Sequence, residues 1–330
     1  MRIAYVLYPE AIVINKSNGI RNQALQWVDT LVEYADVDLI SPWASIEWNQ
    51  YDVVHFFGGT QWLGFVPAFR RINDNVVFSP ILDSIDSKMK LRLLANLGFK
   101  GYHHPFNVYK QYLHSFKKIL VRSEYEADYM KSCFGIKPCN ISLIPISYEI
   151  DDNVADKNMD RQNFCLHVSA IYQERKNVKR LIDASKKYKF PLVLAGNPGN
   201  EQQRGELLDR IGSTPWIEIK GFVSDEELNE LYRKAKVFAL PSINEGVGIV
   251  ALNAAVAGCQ VVLTNIGGPK EYFGGYARLV DPYSVDDIGK AIMEAMVSPS
   301  DDKLRQHIMS NYSKKAVGQK LYDFYKSISQ

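Results

Sequence analysis

Short apolar runs alternate with longer helical patterns along this chain, and this alternation constrains the fold more than any other feature of the sequence. Chains of this kind form βα repeats, in which parallel strands are buried beneath helices. The runs are rich in Val, Ile and aromatic residues, and they occupy 2–8, 37–41, 52–58, 76–82, 118–123, 141–147, 163–170, 191–197, 216–223, 237–242, 260–266 and 277–282. The sequence therefore predicts an α/β protein with two open, largely parallel sheets.

A polar stretch, SYEIDDNVADKNMDRQ, separates the first six runs from the last six. Its lack of apolar periodicity is typical of a linker. The apolar residues near the end of the chain recur on one helical face, which predicts an amphipathic helix that packs back on the first domain. The expected division is a first Rossmann-like domain over 1–150, a linker over 151–162, a second Rossmann-like domain over 163–312 and the terminal helix over 313–330. Ligands bind beyond the carboxyl ends of such strands, so we expect both sheets to face a central cleft.

The composition limits the class of partner. With 46% hydrophobic and 23% charged residues the chain has the profile of an ordinary globular protein, and its net charge of +2 does not indicate nucleic-acid binding. No apolar run of the sequence approaches the ~18 residues of a membrane span. The four cysteines form no CxxC pair, which favours free thiols in a reducing compartment. We therefore expect a cytoplasmic protein.

One glycine-rich turn, within NEGVGIVALNAAVAGC, joins the apolar run 237–242 to an apolar helix. Its two glycines let the backbone approach a ligand, and the N–H groups at the helix start suit a diphosphate. A carboxylate beside phosphate would repel it, so Glu245 is better suited to binding hydroxyls. A sugar attached to a diphosphate supplies both partners. The alternative is that the glycines serve only close packing of strand and helix. The predicted donor-binding residues of this turn are Gly246, Val247, Gly248 and Ile249.

The same turn also fits the dinucleotide fingerprint, as Gly246-x-Gly248-x-x-Ala251. That fingerprint requires a turn directly after the strand, whereas the four residues from Ser242 to Glu245 separate the strand core from Gly246 here. The next strand reaches Asn265 where a dinucleotide fold has an acidic residue for the ribose. An NAD-dependent oxidoreductase remains an alternative, disfavoured on these two counts.

The stretch PSINEGVGIVALNAAVAGCQVVLTNIGGPKEYFG resembles the signature of the retaining GT-B glycosyltransferases of family 4. The resemblance extends over 163–330 and includes SAIYQERKNVKRLIDA and GFVSDEELNELYRKAKVFALPS. It implies the GT-B fold and a retaining, metal-independent hexosyltransferase. The implied reaction moves a sugar from a nucleotide-sugar, expected to be a UDP-sugar, to a glycan or lipid-linked glycan in cell-envelope polysaccharide synthesis. A catalytically weak GT-B binding subunit is a further alternative.

The resemblance assigns roles to several residues and also shows departures. Glu245 is the first Glu of the family signature, while Asn253 replaces the second, which holds the donor ribose in the family. Asn keeps an acceptor oxygen, so a ribose contact is still expected. Val223 lies where related enzymes present backbone to the base. Ser169-Ala170 replaces a common Gly-Arg.

Breaking the bond to a nucleoside diphosphate builds negative charge on the leaving phosphate. Arg175 and Lys176 can stabilise that charge as cations, although both could instead be solvated. Gly19, after the first run, could bring a second helix N-terminus to the phosphates, or it could be a simple turn glycine. This scheme needs no cofactor and no metal, since Asp36 with Asp38 and Asp83 with Asp86 show no third ligand.

Two features of the first domain point toward the acceptor. His55 is expected to end a strand near the acceptor, with a packed, hydrogen-bonded histidine as the alternative. From 87 to 123 the sequence has no acidic residue, while basic and aromatic residues alternate. Helical spacing there places Met89, Leu93, Leu94 and Leu97 on one face. This segment is either a helix packed on the sheet or a surface that contacts an anionic membrane.

Overall fold

Two α/β units make up the described part of the chain. The computed structural model describes residues 1–8, 11, 19–41, 44–60, 63–82, 87–99, 102–154, 161–299 and 301–330. The first unit combines 1–147 with 314–330, and the second spans 148–313. No helix within these described ranges is long and apolar enough to cross a bilayer.

The described residues of the first unit form a six-stranded parallel sheet and a short antiparallel hairpin. The strands are β1 (Arg2–Leu7), β2 (Asp36–Leu39), β3 (Val53–Phe57), β4 (Val76–Ser79), the hairpin pair β5 (Gly98–Phe99) and β6 (Tyr102–His103), β7 (Lys118–Val121) and β8 (Ile141–Leu143). The sheet has the order β2-β1-β3-β4-β7-β8. Strands β3 and β4 are buried at every position, as expected for a parallel sheet covered on both faces. The strand order reverses between β1 and β3, which is where such sheets bind ligands.

Helices connect these strands, and serine side chains begin two of them. The described helices are α1 (Gly19–Leu31), α2 (Val66–Phe69), α3 (Lys88–Asn96), α4 (Pro105–Tyr112) and α5 (Glu124–Phe134), with 3₁₀ turns at Trp48–Gln50, Leu63–Phe65, Leu113–Ser115 and Pro138–Asn140. Ser87 and Ser123 each accept a hydrogen bond from a backbone N–H of the first turn of α3 and of α5.

The buried residues of helix α3 differ from the apolar face that its sequence predicted. Its buried residues are Leu91 and Ala95, whereas Met89 is 81% exposed and Leu93 is 61% exposed. Two residues of the predicted apolar face, Met89 and Leu93, are therefore exposed. The packing of α3 against α4 and α5, rather than its own periodicity, selected the buried face.

The second unit contains the other six-stranded parallel sheet. Its strands are β9 (Gln162–Val168), β10 (Leu192–Ala195), β11 (Ile217–Gly221), β12 (Ala235–Leu240), β13 (Gln260–Thr264) and β14 (Arg278–Val280). They lie in the order β11-β10-β9-β12-β13-β14, so the order reverses between β9 and β12. The described helices of this unit are α6 (Val178–Tyr188), α7 (Glu201–Ile211), α8 (Asp225–Lys234), α9 (Ile249–Val256), α10 (Pro269–Phe273), α11 (Val285–Val297) and α12 (Lys303–Tyr312), with a 3₁₀ turn at Glu174–Lys176.

The last helix, α13 (Lys314–Ser329), belongs to the first unit. Its apolar face is buried through Val317, Leu321, Phe324 and Ile328. A Cβ atom on Gly318 would collide with the carbonyl oxygen of Thr30, so this glycine lets α13 approach α1 closely. Tyr325 reaches the interior of the sheet, where its hydroxyl lies 2.9 Å from that of Tyr5.

Candidate active site

Two loops meet where the strand order of the second unit reverses. One follows β9 and carries Arg175 and Lys176, and the other follows β12 and carries Glu245. Strands β9 and β12 are parallel neighbours, with Leu166 beside Phe238. Because the carboxyl ends of neighbouring parallel strands open at one edge, this point is the expected ligand crevice of the sheet. The structure therefore brings together residues that are 69 positions apart in sequence.

A buried ion pair lies at this edge. Lys176 Nζ is 2.6 Å from Glu245 Oε2, and each side chain is only 10% exposed. The hydroxyl of Ser242 donates to the same carboxylate oxygen at 3.0 Å. Glu245 Oε1 takes no part in the hydrogen bonds that the structure records within its described ranges. The carboxylate is thus oriented by two partners on Oε2, and Oε1 lies outside these bonds.

Backbone hydrogen bonds hold the two loops together. The N–H of Ile243 donates to the carbonyl oxygen of Arg175 at 2.8 Å. Asn177 is buried with a positive φ of 60°, and its side-chain amide donates to the carbonyl oxygens of Pro241 at 2.9 Å and Pro282 at 2.6 Å. Asn177 was missed in the sequence, where an Asn before a helix predicts an N-cap. Its side chain instead links three loops.

The glycine turn lies between β12 and α9, where the sequence predicted it. Gly248 has φ 82° and precedes α9, which begins at Ile249. The N–H groups of Ala251 and Leu252 donate to the carbonyl oxygen of Gly248. The N–H groups of the residues before Ala251 therefore lie ahead of the first hydrogen bond of the helix. Val247 is buried and anchors the turn, while Gly246 and Ile249 are half-buried.

A third loop closes over Glu245 from β13. Gly267 has φ 90°, and a Cβ atom there would collide with the carbonyl oxygen of Glu245. This close approach of two backbones requires a glycine. The sequence contains the signal, in NIGGPKEYF, but the pairing of this loop with Glu245 needs the tertiary structure.

A buried histidine supports the loop after β9. His167 Nδ1 lies 2.8 Å from the carbonyl oxygen of Ala239, and Nε2 lies 2.7 Å from Ser169 Oγ. Burial, with a smaller contribution from the charge of Lys176, lowers the pKa of His167 to about 4. The ring is therefore neutral at pH 7 and acts as a hydrogen-bonded support beside the ion pair.

Asn253 has a partner that the sequence did not indicate. Asn253 belongs to α9. Its Oδ1 accepts hydrogen bonds from the backbone N–H of Glu149 at 2.8 Å and from that of Ile150 at 3.4 Å. The oxygen that was expected to accept a ribose hydroxyl is therefore already engaged. The ribose contact of Asn253 stays a prediction.

Arg175 and Val223 lie at the same edge of the sheet. Arg175 is half-buried, its Nε donates to Gln173 Oε1 at 3.0 Å, and it forms no ion pair with an acidic residue of the described ranges. Val223 follows β11 and is half-buried, while the preceding Phe222 is 77% exposed. The guanidinium group is thus available to an anion.

The two candidates of the first unit have different surroundings. Gly19 is exposed and begins α1 at the point where the strand order of that sheet reverses. Gly58, at the end of β3, has φ 54° and approaches the side chain of Ile20. His55 does not end its strand, because β3 continues to Phe57.

The histidine of β3 is an interior residue. His55 is 0% exposed, and its ring nitrogens lie 2.5 Å from the hydroxyl of Tyr325 and 2.9 Å from Ser79 Oγ. Burial holds the pKa of His55 well below its ordinary value. The structure therefore favours the packed, hydrogen-bonded histidine over an acceptor contact.

Of the carboxylates considered for a metal, one has other partners and two lie outside the described residues. Asp38 accepts hydrogen bonds from Arg2 and from the hydroxyl of Tyr51. Asp83 and Asp86 lie outside the described residues. Among the described residues no group of three or more His, Cys, Asp or Glu side chains is placed to hold a metal ion.

Comparisons with known proteins agree with this architecture. The family model described as glycosyl transferases group 1 matches residues 149–316. The O-antigen chain mannosyltransferase B of Escherichia coli is 32% identical over 152 residues, which cover 44% of this chain and only 39% of that relative. Sucrose-phosphate synthase from Thermosynechococcus elongatus superposes with a TM-score of 0.75 at 16% identity, over 99% of this chain and 98% of that one. HepE from Anabaena, in complex with UDP, gives a TM-score of 0.73 at 16% identity, over 99% and 100%. These likenesses confirm the predicted fold class.

Proposed function

The chain belongs to the group 1 glycosyl transferases and has the GT-B fold, and from this premise we propose that it transfers a sugar from a nucleotide-sugar donor with retention of configuration. The buried Lys176–Glu245 pair at the reversal of strand order carries the proposal. It places a sugar-binding carboxylate and a phosphate-binding cation next to one helix N-terminus. A donor that joins a sugar to a diphosphate has the same two chemical parts in sequence.

Each residue of the pair has capacity beyond the pair itself. An ammonium group has three N–H donors, so Lys176 can hold Glu245 and still donate to a phosphate oxygen. Arg175 adds a second cation, and the N–H groups of the Gly246–Ile249 turn add neutral donors. Together they stabilise the negative charge that develops on the leaving diphosphate, so the scheme uses no metal.

Glu245 binds the donor sugar through its unused oxygen. Oε1 accepts a sugar hydroxyl, while Lys176 and Ser242 hold Oε2. An oxygen held by a cation and a hydroxyl is a poor nucleophile. We therefore favour a displacement on one face of the sugar, assisted by the leaving phosphate, over a covalent sugar–enzyme intermediate.

The donor and acceptor are proposed from related proteins. HepE was solved with UDP and with UDP-glucose, which supports a UDP-sugar donor. The relative from Escherichia coli is named for the O-antigen chain, which supports a glycan or lipid-linked glycan acceptor of the cell envelope. Its name also specifies a mannosyl group, so mannose belongs among the sugars to be tested.

A panel of donors tests this function. Melting temperatures are measured with UDP-, GDP-, ADP- and dTDP-sugars, with mannose and glucose forms of each where they exist, and with NAD⁺ and NADP⁺. A ligand that binds only the folded state stabilises it by mass action. We expect one nucleotide-sugar class to raise the melting temperature and to be consumed with a glycan acceptor. Stabilisation by NAD⁺ or NADP⁺ alone would indicate an oxidoreductase, and donor binding without turnover a binding subunit.

Helix α3 favours a membrane-bound location for this transfer. Met89 and Leu93 are four positions apart, so they form one exposed apolar patch, and the exposed side chains of Lys90 and Arg92 flank it. Apolar side chains beside cations suit the interface of an anionic leaflet, where each cation adds about 1 kcal/mol. We infer that this face contacts the cytoplasmic leaflet and brings the enzyme to a lipid-linked acceptor.

Vesicle binding tests the membrane contact. The protein is mixed at low salt with vesicles of neutral lipid or with added anionic lipid. We expect salt-sensitive binding to anionic vesicles only, reduced by Lys90→Gln with Arg92→Gln and by Met89→Ser with Leu93→Ser. Lys315→Gln with Lys320→Gln removes the same charge from exposed positions of α13 and should leave binding unchanged. Indifference to every vesicle, or equal loss with the control pair, would show that α3 is not a membrane surface.

A further inference from the structure

The side chain of Asn253 ties the start of the second unit to the helix that follows the glycine turn. Its Oδ1 accepts two backbone hydrogen bonds, from Glu149 at 2.8 Å and from Ile150 at 3.4 Å. Asn253 is 8% exposed and Ile150 is 7% exposed. The tie is therefore protected from water, and all three residues belong to one unit.

A second tie joins the same two segments. Arg305, in α12, donates from Nε to the carbonyl oxygen of Val256 at 2.9 Å and from an amino group to that of Asp152 at 2.8 Å. Val256 is the last residue of α9. Helix α9 is thus fixed to the segment from Glu149 to Asp152 at its middle and at its end.

The position of the tie links it to the reaction. Asn253 lies four residues after the start of α9, a distance of about 6 Å along the helix. Gly248 lies directly before that start, and Glu245 lies four residues before it. A helix is stiff over one turn, so a shift of α9 moves the glycine turn by the same amount. Misplacing a reacting group by about 1 Å can reduce the rate by about two orders of magnitude.

We propose that Asn253 is a positioning residue, which sets the location of α9, and through it of Glu245 and the N–H groups of the turn, by holding the backbone of Glu149 and Ile150. This role rests on the glycosyl transfer proposed above. It replaces a direct contact between Asn253 Oδ1 and the donor ribose. An amide oxygen has two lone pairs, and both are used by backbone N–H groups.

Chemistry explains why a ribose would not take over this oxygen. A ribose hydroxyl that bonded to Oδ1 would displace a backbone donor. That donor would be left buried and without an acceptor, which costs more than the new bond gains. Asparagine suits the role, because its amide does not ionise. Its oxygen therefore accepts the two N–H groups independently of pH.

Three variants and two nucleotides test the proposal. Asn253→Leu removes the acceptor at similar volume, while Asn253→Asp retains an acceptor oxygen and replaces the neutral amide donor with a carboxylate. Asn73→Leu is the matched control, because Asn73 is 9% exposed and its side chain bonds to the carbonyl oxygens of Trp48 and Tyr51 in the other unit. For each protein we measure the melting temperature, kcat and KM, and the dissociation constants of UDP and 2′-deoxy-UDP. GDP and 2′-deoxy-GDP replace them if the panel selects guanosine.

We expect Asn253→Leu to lower kcat by about 10-fold or more, with the affinity ratio of UDP to 2′-deoxy-UDP unchanged within about twofold. Asn253→Asp should keep kcat near that of the natural protein. Asn73→Leu should lower the melting temperature but not kcat. If Asn253→Leu does not fold, the Asp variant decides, since a 10-fold loss of kcat there would overturn the proposal.

Two other outcomes would also overturn it. An affinity ratio that falls toward one in Asn253→Leu would identify Asn253 as a ribose ligand. A lower melting temperature with unchanged kcat would show that the tie serves stability alone. If the natural protein turns over no nucleotide-sugar, the proposed function fails, and the positioning role fails with it. That result is seen before any variant is made.

Discussion

The carboxyl-end edges of the two sheets use their polar residues in opposite ways. In the second unit, Lys176 and Glu245 are brought to the edge, paired, and left with unused hydrogen-bonding capacity. In the first unit, the polar residues of β3 and β4 are directed inward, where His55 bonds to Ser79 through one ring nitrogen and to Tyr325 through the other. In the second unit, fixed loops therefore hold the polar side chains of the candidate site. In the first unit, the groups exposed to a ligand are backbone, glycines and the outer face of helix α3.

Under the proposed function, this difference predicts how the two substrates would be bound. A nucleotide-sugar carries fixed charges and hydroxyls, and a preorganised site with buried partners binds such groups selectively. A polymeric or lipid-linked acceptor offers fewer charges, so a broad surface is sufficient. Four predictions test this contrast, beginning with the largest expected effect.

Glu245→Ala should reduce kcat/KM at least 100-fold, equivalent to about 2.7 kcal/mol of transition-state stabilisation. The loss follows because Oε1 can no longer bind a sugar hydroxyl and Lys176 loses its orienting partner. Steady-state kinetics with the donor selected by the panel measure it. Glu174→Ala is the control, since the carboxylate of Glu174 is 77% exposed and pairs with Lys179. Turnover close to that of the natural protein would remove Glu245 from the site.

Lys176→Met should lower the free energy of unfolding by about 2 kcal/mol, because Glu245 would remain buried without its cation. Adding Glu245→Gln should restore much of that stability but none of the activity. Denaturant unfolding of the two single variants and the double variant measures this. Additive losses of stability would mean that the two charges do not interact.

Arg175→Ala should weaken binding of the free nucleoside diphosphate about 10-fold, or about 1.4 kcal/mol, and leave the melting temperature of the ligand-free protein unchanged. Arg175 has no ionic partner in the described part of the chain to lose. Isothermal titration with UDP or GDP tests this, with Arg180→Ala as a control, because Arg180 stacks on Tyr283. Equal diphosphate affinity would show that Arg175 is only a surface charge.

The smallest effect concerns pH. His167 is neutral when folded, since its pKa is lowered to about 4, while an unfolded histidine has a pKa of about 6.5. The unfolded chain therefore binds more protons below pH 6.5, and the stability of the second unit should fall as pH decreases from there toward 4. We expect a loss of about 1 kcal/mol between pH 6.5 and 5.5.

Unfolding at several pH values with His167→Gln checks this result, because the variant should lose that part of the pH dependence. His55→Gln gives the matching measurement for the first unit, where the pKa of His55 is also lowered by burial. An unchanged pH dependence in His167→Gln would contradict the neutral, buried state.

Much of the architecture was predictable because it depends on local pattern. Alternating apolar runs and helical periods predicted two parallel sheets, and Gly246 and Gly248 predicted the turn that leads into α9. Glu245 was predicted from the glycine turn, and Arg175 and Lys176 from the family resemblance, and their roles stay predictions. Their pairing was not predicted, since strand adjacency does not specify which side chains touch.

The sequence by itself determined the fold class and the position of the donor turn, because hydrophobic periodicity and glycine conformations act between residues close in the chain. Only the tertiary structure decided the partners of polar groups. Oδ1 of Asn253 bonds to backbone more than 100 residues away, and His55 faces Tyr325 from the far end of the chain. The exposed face of α3 was also decided by packing. Hydrogen bonds and burial depend on what lies nearby in space, and a linear pattern does not contain that information.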